Sequence, residues 1–130
     1  FEQRFFDPYR SLLVRVPVFP SLGNHDVATR NGAPYLQNFH LPGAERYYSF
    51  DWGDVHFIAL DSTGRIGGTA QEKWLQGDLN TTKCAWKVVY FHHPPYTRSN
   101  HNSSQSIRQS WSPLFEKHGG QLVLNGHNHV

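Results

Sequence analysis

The sequence predicts a layered α/β domain in which helices pack over a sheet. Two observations carry that prediction. From Tyr47 onward, apolar β-rich runs alternate with helical patterns in the order strand, helix, strand, helix, strand. In addition, three apolar runs, Val16–Leu22, Val88–Phe91 and Leu122–Leu124, each lead directly into a histidine-bearing loop. In α/β sheets such loops gather at the carboxyl ends of the strands, so the topology itself brings the three together.

Taken in order, Phe1 to Leu13 reads as helical, with Asp7 as an N-cap, Pro8 at the first helical position, and Phe5, Phe6, Leu12 and Leu13 as its apolar surface. Val14 to Phe19 is a short β-rich segment made irregular by Pro17 and Pro20. Val27 to Gly43 reads as loop, punctuated by Asn31-Gly32, Pro34 and Pro42-Gly43. Tyr47–Phe50 and Val55–Leu60 form a hairpin through Asp51-Trp-Gly-Asp54. Thr69-Ala-Gln-Glu72 is a capping box that starts a helix running to about Leu79, with Trp74 and Leu75 buried. Val88–Phe91 is uninterrupted in its apolar character, as for a strand covered on both faces. Ile107, Trp111, Leu114 and Phe115 fall at helical spacing, with a break expected at Ser112-Pro113 and a C-terminal cap at Gly119. Leu122–Leu124 is the last strand.

Composition narrows the function classes. At 130 residues the chain is one domain with enough material for a core. The net charge of +2 without a basic run points to neither a nucleic-acid nor a membrane-surface partner. No run is long enough to span a bilayer and none reads as a signal peptide. Cys84 stands alone, which excludes an intrachain disulfide. Asn80-Thr-Thr and Asn102-Ser-Ser match the glycosylation acceptor pattern, a weak signal by itself. The chain begins at Phe1, lacks methionine and stops one residue after His129, so we read it as a piece of a longer reading frame.

The chemistry concentrates in three stretches: Gly23-Asn24-His25-Asp26, His92-His93-Pro94-Pro95 and Gly126-His127-Asn128-His129. Asn24 offers a neutral carbonyl oxygen that leaves a bound metal strongly Lewis-acidic. A His-x-His pair can aim its two rings at different ions, and His92 adds a further imidazole. Two ions about 3.5–4 Å apart can share a hydroxide nucleophile and clamp both ends of a phosphoryl displacement. His25, beside Asn24, is placed to protonate a leaving alkoxide. Read singly, each stretch has a bland alternative: Gly, Asn and Asp are ordinary turn formers, and prolines commonly end a strand. His56 reads as a packed or solvent-facing strand residue, and His40 and His118 as surface residues.

In this order the three stretches resemble the second half of a calcineurin-like metallophosphoesterase, on its purple-acid-phosphatase-like branch. The hairpin from Tyr47 to Ser62 and the Gln71-Glu-x-Trp74-Leu75 helix belong to the same resemblance, which covers essentially the whole chain. It implies two β-sheets flanked by helices. It also implies two divalent or trivalent metal ions, with Asn24, His92 and His127 on one and His129 on the other. His25 becomes the acid or transition-state stabiliser, Asp26 and His93 groups that orient the ligands, and His101 a contact to the substrate phosphate; Tyr96 and Arg98 are weaker substrate contacts. Mixed nitrogen and oxygen donors suit iron, zinc or manganese. The substrate implied is a phosphate ester, and the setting leans extracellular or periplasmic. The family's upstream Asp-x-His/Asp and Gly-Asp-x-x-Asp/Tyr motifs do not occur here. Residues 1–130 therefore read as a partial catalytic domain, incomplete at its N-terminus and expected to be inactive alone. The alternatives are a non-catalytic metal-binding fragment and a phosphodiesterase on the same scaffold.

Overall fold

The computed structural model describes residues 1–129. Its centre is one four-stranded sheet, β1 (Tyr48–Trp52), β2 (Val55–Ala59), β3 (Trp86–Phe91) and β4 (Leu122–Asn125), arranged in that order. β1 and β2 form the expected antiparallel hairpin, with Trp52 opposite Val55. The strands run further into the turn than their apolar residues suggest, and Gly53 takes the left-handed conformation the tight reversal needs, at φ +59. β3 and β4 then add in parallel, each after a helical crossover. The layered α/β architecture is therefore present, and of the two sheets the resemblance implies, the described residues form one.

The crossovers cover one face of the sheet. Helix α4 (Ala70–Thr81) buries Leu75 and Leu79, and the pair α5 (Gln105–Ser110) and α6 (Ser112–Lys117) buries Ile107, Trp111 and Phe115, all against Ile58, Val89 and Phe91. Each such fully buried side chain contributes on the order of 1.5–3 kcal/mol. Thr69 caps α4 as expected, accepting the Glu72 N–H at 3.2 Å. The Glu72 carboxylate, however, accepts from Gly68 N–H at 2.7 Å, because the chain enters the helix from a Gly68 turn at φ +68. Trp74 is only partly buried, packed edgewise on Tyr47. The break at Ser112-Pro113 and the Gly119 terminator, at φ +66, stand where the sequence puts them.

The opposite face is different. Trp52, Phe57, Trp86, Val88, Tyr90, Leu122 and Leu124 share it by register. Trp52 is 67% exposed, Trp86 56% and Leu124 51%. The expectation that the β3 run is covered on both faces therefore fails among the described residues: Val89 and Phe91 lie under helices, Val88 and Tyr90 do not.

The first third of the chain departs most from its sequence reading. Phe1–Leu13 is helical, as a π-helical turn (Glu2–Phe6) followed by α1 (Asp7–Leu13). Asp7 is itself helical at φ −65 and caps nothing; its carboxylate pairs with Arg10 at 3.0 Å in the open, worth little. Val14–Phe19 forms no strand, because Pro17 and Pro20 lack the N–H a ladder requires. The segment is pinned differently: the Tyr35 and Tyr48 hydroxyls both donate to the Pro20 carbonyl, at 2.8 and 2.7 Å. Nor is Val27–Gly43 simply loop. It holds the end of α2 (Asn24–Val27), a 3-10 turn (Arg30–Gly32) and α3 (Ala33–Asn38), which has Pro34 in its first turn and places Tyr35 and Phe39 four residues apart on one buried face.

Candidate metal centre

His92 is the first residue beyond β3, and Gly126-His127 follow β4 directly. The two loops are tied by Gly126 N–H to the His92 carbonyl at 3.1 Å and by Asn125 Nδ2 to the Phe91 carbonyl at 3.0 Å. The third loop arrives from the pinned Pro20 segment. Its turn is closed by Asp26, whose carboxylate accepts Gly23 N–H at 2.9 Å, so Asp26 orients this loop through its backbone. The glycine is required for a reason the sequence does not show. A Cβ built on Gly23 would stand 3.0 Å from His92 Nδ1, inside the ring's van der Waals envelope.

This close approach brings three donor atoms together. His92 Nε2 lies 2.7 Å from Asn24 Oδ1 and 3.0 Å from His127 Nδ1. Donors bound to one cation at about 2.0–2.1 Å stand about 2.9–3.4 Å apart for right-angled to tetrahedral arrangements. The 3.0 Å pair falls in that range, and the 2.7 Å pair is a hydrogen-bond distance just below it, so His92 Nε2 stands within 3.0 Å of both other donors. His127 sits at φ +69, a left-handed conformation uncommon outside glycine that histidine adopts more readily than most residues. His93 also faces it: donor atoms of His92, His93 and His127 all lie within 4.8 Å of one another. The His93 backbone N–H donates to Ser62 Oγ at 3.0 Å, and its Nδ1 is 3.0 Å from the same oxygen. That fixes the ring while leaving Nε2 toward its neighbours.

Electrostatics favour neutral imidazoles here. Burial, followed by the charges of His93, His127, His25 and His101, pushes His92 down to about 4. Burial lowers His93 as well, and burial with the neighbouring histidines lowers His127. Neutral rings are the form a metal requires.

The remaining sequence candidates sit around this cluster. His25 is exposed on the first turn of α2, close enough for its charge to act on His92 and His127. His101 stacks on His127 with ring centroids 4.1 Å apart. His129 is exposed and outside the cluster of His92, His93 and His127, though near enough to affect His127. Sequence reasoning overlooked Asp61 and Ser62. Asp61 exchanges two backbone hydrogen bonds with the Gln71 amide, at 2.8 and 3.0 Å, and its carboxylate holds Arg46 at 2.8 Å. Ser62 then carries His93. The signal was a buried polar pair, Asp-Ser, at the end of an apolar strand.

The fold is an α/β domain with a histidine cluster at the carboxyl ends of β3 and β4 and Asn24 beside it. The family model described as calcineurin-like phosphoesterase matches residues 1–130, and the chain belongs to that family. It is similar to purple acid phosphatase 23 of Arabidopsis thaliana, with 30% identity covering 98% of this chain and 31% of that protein. It is likewise similar to the uncharacterized protein Rv2577 of Mycobacterium tuberculosis, at 30% identity over 87% of this chain and 27% of the other. A serine/threonine-protein phosphatase of Rattus norvegicus, CPPED1, is 25% identical over 88% of this chain and 42% of its own length. The chain thus spans less than half the length of these curated relatives. No described helix is long and apolar enough to cross a membrane.

Proposed function

We propose that the chain supplies one side of the catalytic centre of a metal-dependent phosphoester hydrolase, acting as a phosphatase. The observation that carries this is the convergence of Asn24 Oδ1, His92 Nε2 and His127 Nδ1, neutral donors of which His92 Nε2 lies within 3.0 Å of both others. Asn24, His92 and His127 would hold one ion, and His129, exposed two residues beyond His127, would serve a second. Two such ions, of iron, zinc or manganese, would supply a hydroxide nucleophile at neutral pH and neutralise charge on the phosphoryl group. His25 gives a proton to the departing alkoxide. His101, stacked on His127, contacts the phosphoryl oxygens, and His93 holds the rings of its neighbours in place from Ser62. The substrate is a phosphate ester whose phosphoryl group passes to water in a single step as the alcohol departs.

The test is hydrolysis of an aryl phosphate monoester and of a bis-aryl phosphodiester by the full-length protein, with metal analysis of the same preparation. About two metals per chain and preferred monoester turnover are expected of the dinuclear phosphatase. Preferred diester turnover would make it a phosphodiesterase. One favourable observation keeps the non-catalytic reading in view: His129 stands apart from the cluster, so one metal or none, without turnover, would mark a binding fragment.

A further inference from the structure

Asn128 lies between the two histidines of the last loop, and its side chain bonds in two directions away from the cradle. Its Oδ1 accepts the His101 backbone N–H at 3.2 Å, and its Nδ2 donates to Thr97 Oγ1 at 2.8 Å. Thr97 is the hub of the segment 97–103. Its hydroxyl accepts Ser99 N–H at 3.1 Å, its own N–H donates to Ser103 Oγ at 2.9 Å, and Ser103 Oγ returns a bond to the Thr97 carbonyl at 3.2 Å. Ser104 N–H closes the base on the Pro94 carbonyl at 3.0 Å. The segment contains no helix or strand and has no buried side chain, so these bonds alone fold it. The Asn128 amide is what joins the folded segment to the loop bearing His127, and the His101 ring comes to rest on the His127 ring.

We propose that Asn128 is a positioning residue: it staples the 97–103 segment to the ligand loop and so sets where His101 meets the substrate phosphoryl group. The proposal rests on the phosphatase reading above. An asparagine suits the task because one short side chain must offer both an acceptor, to His101, and a donor, to Thr97. Aspartate keeps the acceptor and loses the donor. Leucine, of nearly the same shape, loses both. Thr97→Val removes the far anchor together with the Ser99 N–H bond to the same hydroxyl.

The experiment compares Asn128→Leu, Asn128→Asp, Thr97→Val, His101→Ala and the Asn128→Leu/His101→Ala pair in the full-length protein. It reads metal content, amide hydrogen exchange over residues 97–104, affinity for inorganic phosphate, and KM against kcat for an aryl phosphate. In Asn128→Leu, exchange over 97–104 accelerates and metal content stays at the parent level. The KM and the phosphate dissociation constant rise about five- to tenfold, as for loss of one or two hydrogen bonds, while kcat changes less. Asn128→Asp and Thr97→Val fall in between. The double variant binds phosphate no worse than His101→Ala, because the two residues act as one unit. Unchanged exchange in Asn128→Leu overturns the staple. Faster exchange with unchanged phosphate affinity, or additive losses in the double variant, overturns its effect on His101. If the full-length protein turns over no phosphate ester, the phosphatase reading fails separately, and exchange together with phosphate binding still decides the proposal.

Discussion

The two ends of the sheet hold histidines in opposite states. At the carboxyl ends of β3 and β4, His92 and His127 face one another and a carbonyl oxygen, with no carboxylate hydrogen-bonded to either ring among the described residues. Burial and like charges keep them neutral. At the other end, His56 on β2 is buried with Nδ1 2.5 Å from Asp51 Oδ1 and Nε2 2.8 Å from Asp78 Oδ2. A neutral imidazole has one N–H, so filling both carboxylates requires the imidazolium. Burial alone would lower its pKa, but Asp78 and Asp51 outweigh it and hold it above the ordinary 6.5. The difference teaches that carboxylate placement decides whether a histidine is available to a metal or committed as a charged tie. His56 is committed: it links the β1–β2 hairpin to α4, and through Ser49 Oγ, 2.8 Å from Asp78 Oδ1, it does so twice.

The largest effects are expected where a neutral ring is removed. His92→Ala should lower bound metal and reduce turnover of an aryl phosphate by about a thousandfold or more, the several kcal/mol that metal charge stabilisation supplies. Full turnover in a metal-free preparation of that variant would end the phosphatase reading. Gly23→Ala probes the same ring without touching a donor atom. Its new Cβ would stand 3.0 Å from His92 Nδ1, so the ring must shift and separate from Asn24. We expect a loss of about ten- to a hundredfold in metal affinity or kcat, with the melting temperature little changed. Wild-type metal affinity in Gly23→Ala would show that the loops adapt and that the close approach is incidental.

How much of this was legible in the sequence follows from which interactions are local. The hairpin, the Thr69 cap, the Ser112-Pro113 break and the Gly119 stop are set by neighbours within a few residues, and they stand where expected. Two of the three histidine loops were legible as neighbours because they follow β3 and β4, which pair in the sheet; the Asn24 loop comes instead from the strandless Pro20 segment. What could not be read depends on partners far along the chain. Val14–Phe19 looked like a strand because its side chains are β-rich, yet two tyrosine hydroxyls on one proline carbonyl replace a ladder. Tyr35 and Tyr48 lie 15 and 28 residues from that carbonyl. Ser62 is 31 residues from the His93 it supports, and Gly23 owes its identity to a ring at position 92. His56 was read as merely packed, since nothing adjacent reveals Asp78 on the next helix.

The smallest effect tests the charged end. Asp78→Asn keeps a hydrogen-bonding group against His56 Nε2 and removes the charge, so the stability lost should be about 1–3 kcal/mol. Its pH dependence carries the information. Because His56 has a folded pKa above its unfolded 6.5, its contribution is complete below about pH 6.5 and is lost as pH rises through the folded value. Asp51 has the opposite sign: its hydrogen bond to His56 depresses it below 3.8, so its share appears above that pH and is lost only in acid. The groups facing the ring are Asp51 on β1, Asp78 on α4 and, across the rim of the adjoining open pocket, Asp54, Lys83 and Cys84. Lys87, opposite His56 on β3, is turned to the Cys84 carbonyl. Urea denaturation at a series of pH values should therefore show the Asp78→Asn deficit largest in the mildly acidic range and shrinking on the alkaline side, where the parent has also lost the imidazolium. The His56 ring resonances should titrate at lower pH in the variant than in the parent. A deficit independent of pH would mean that His56 is neutral between its two aspartates, and the contrast between the ends of the sheet would then be one of packing alone.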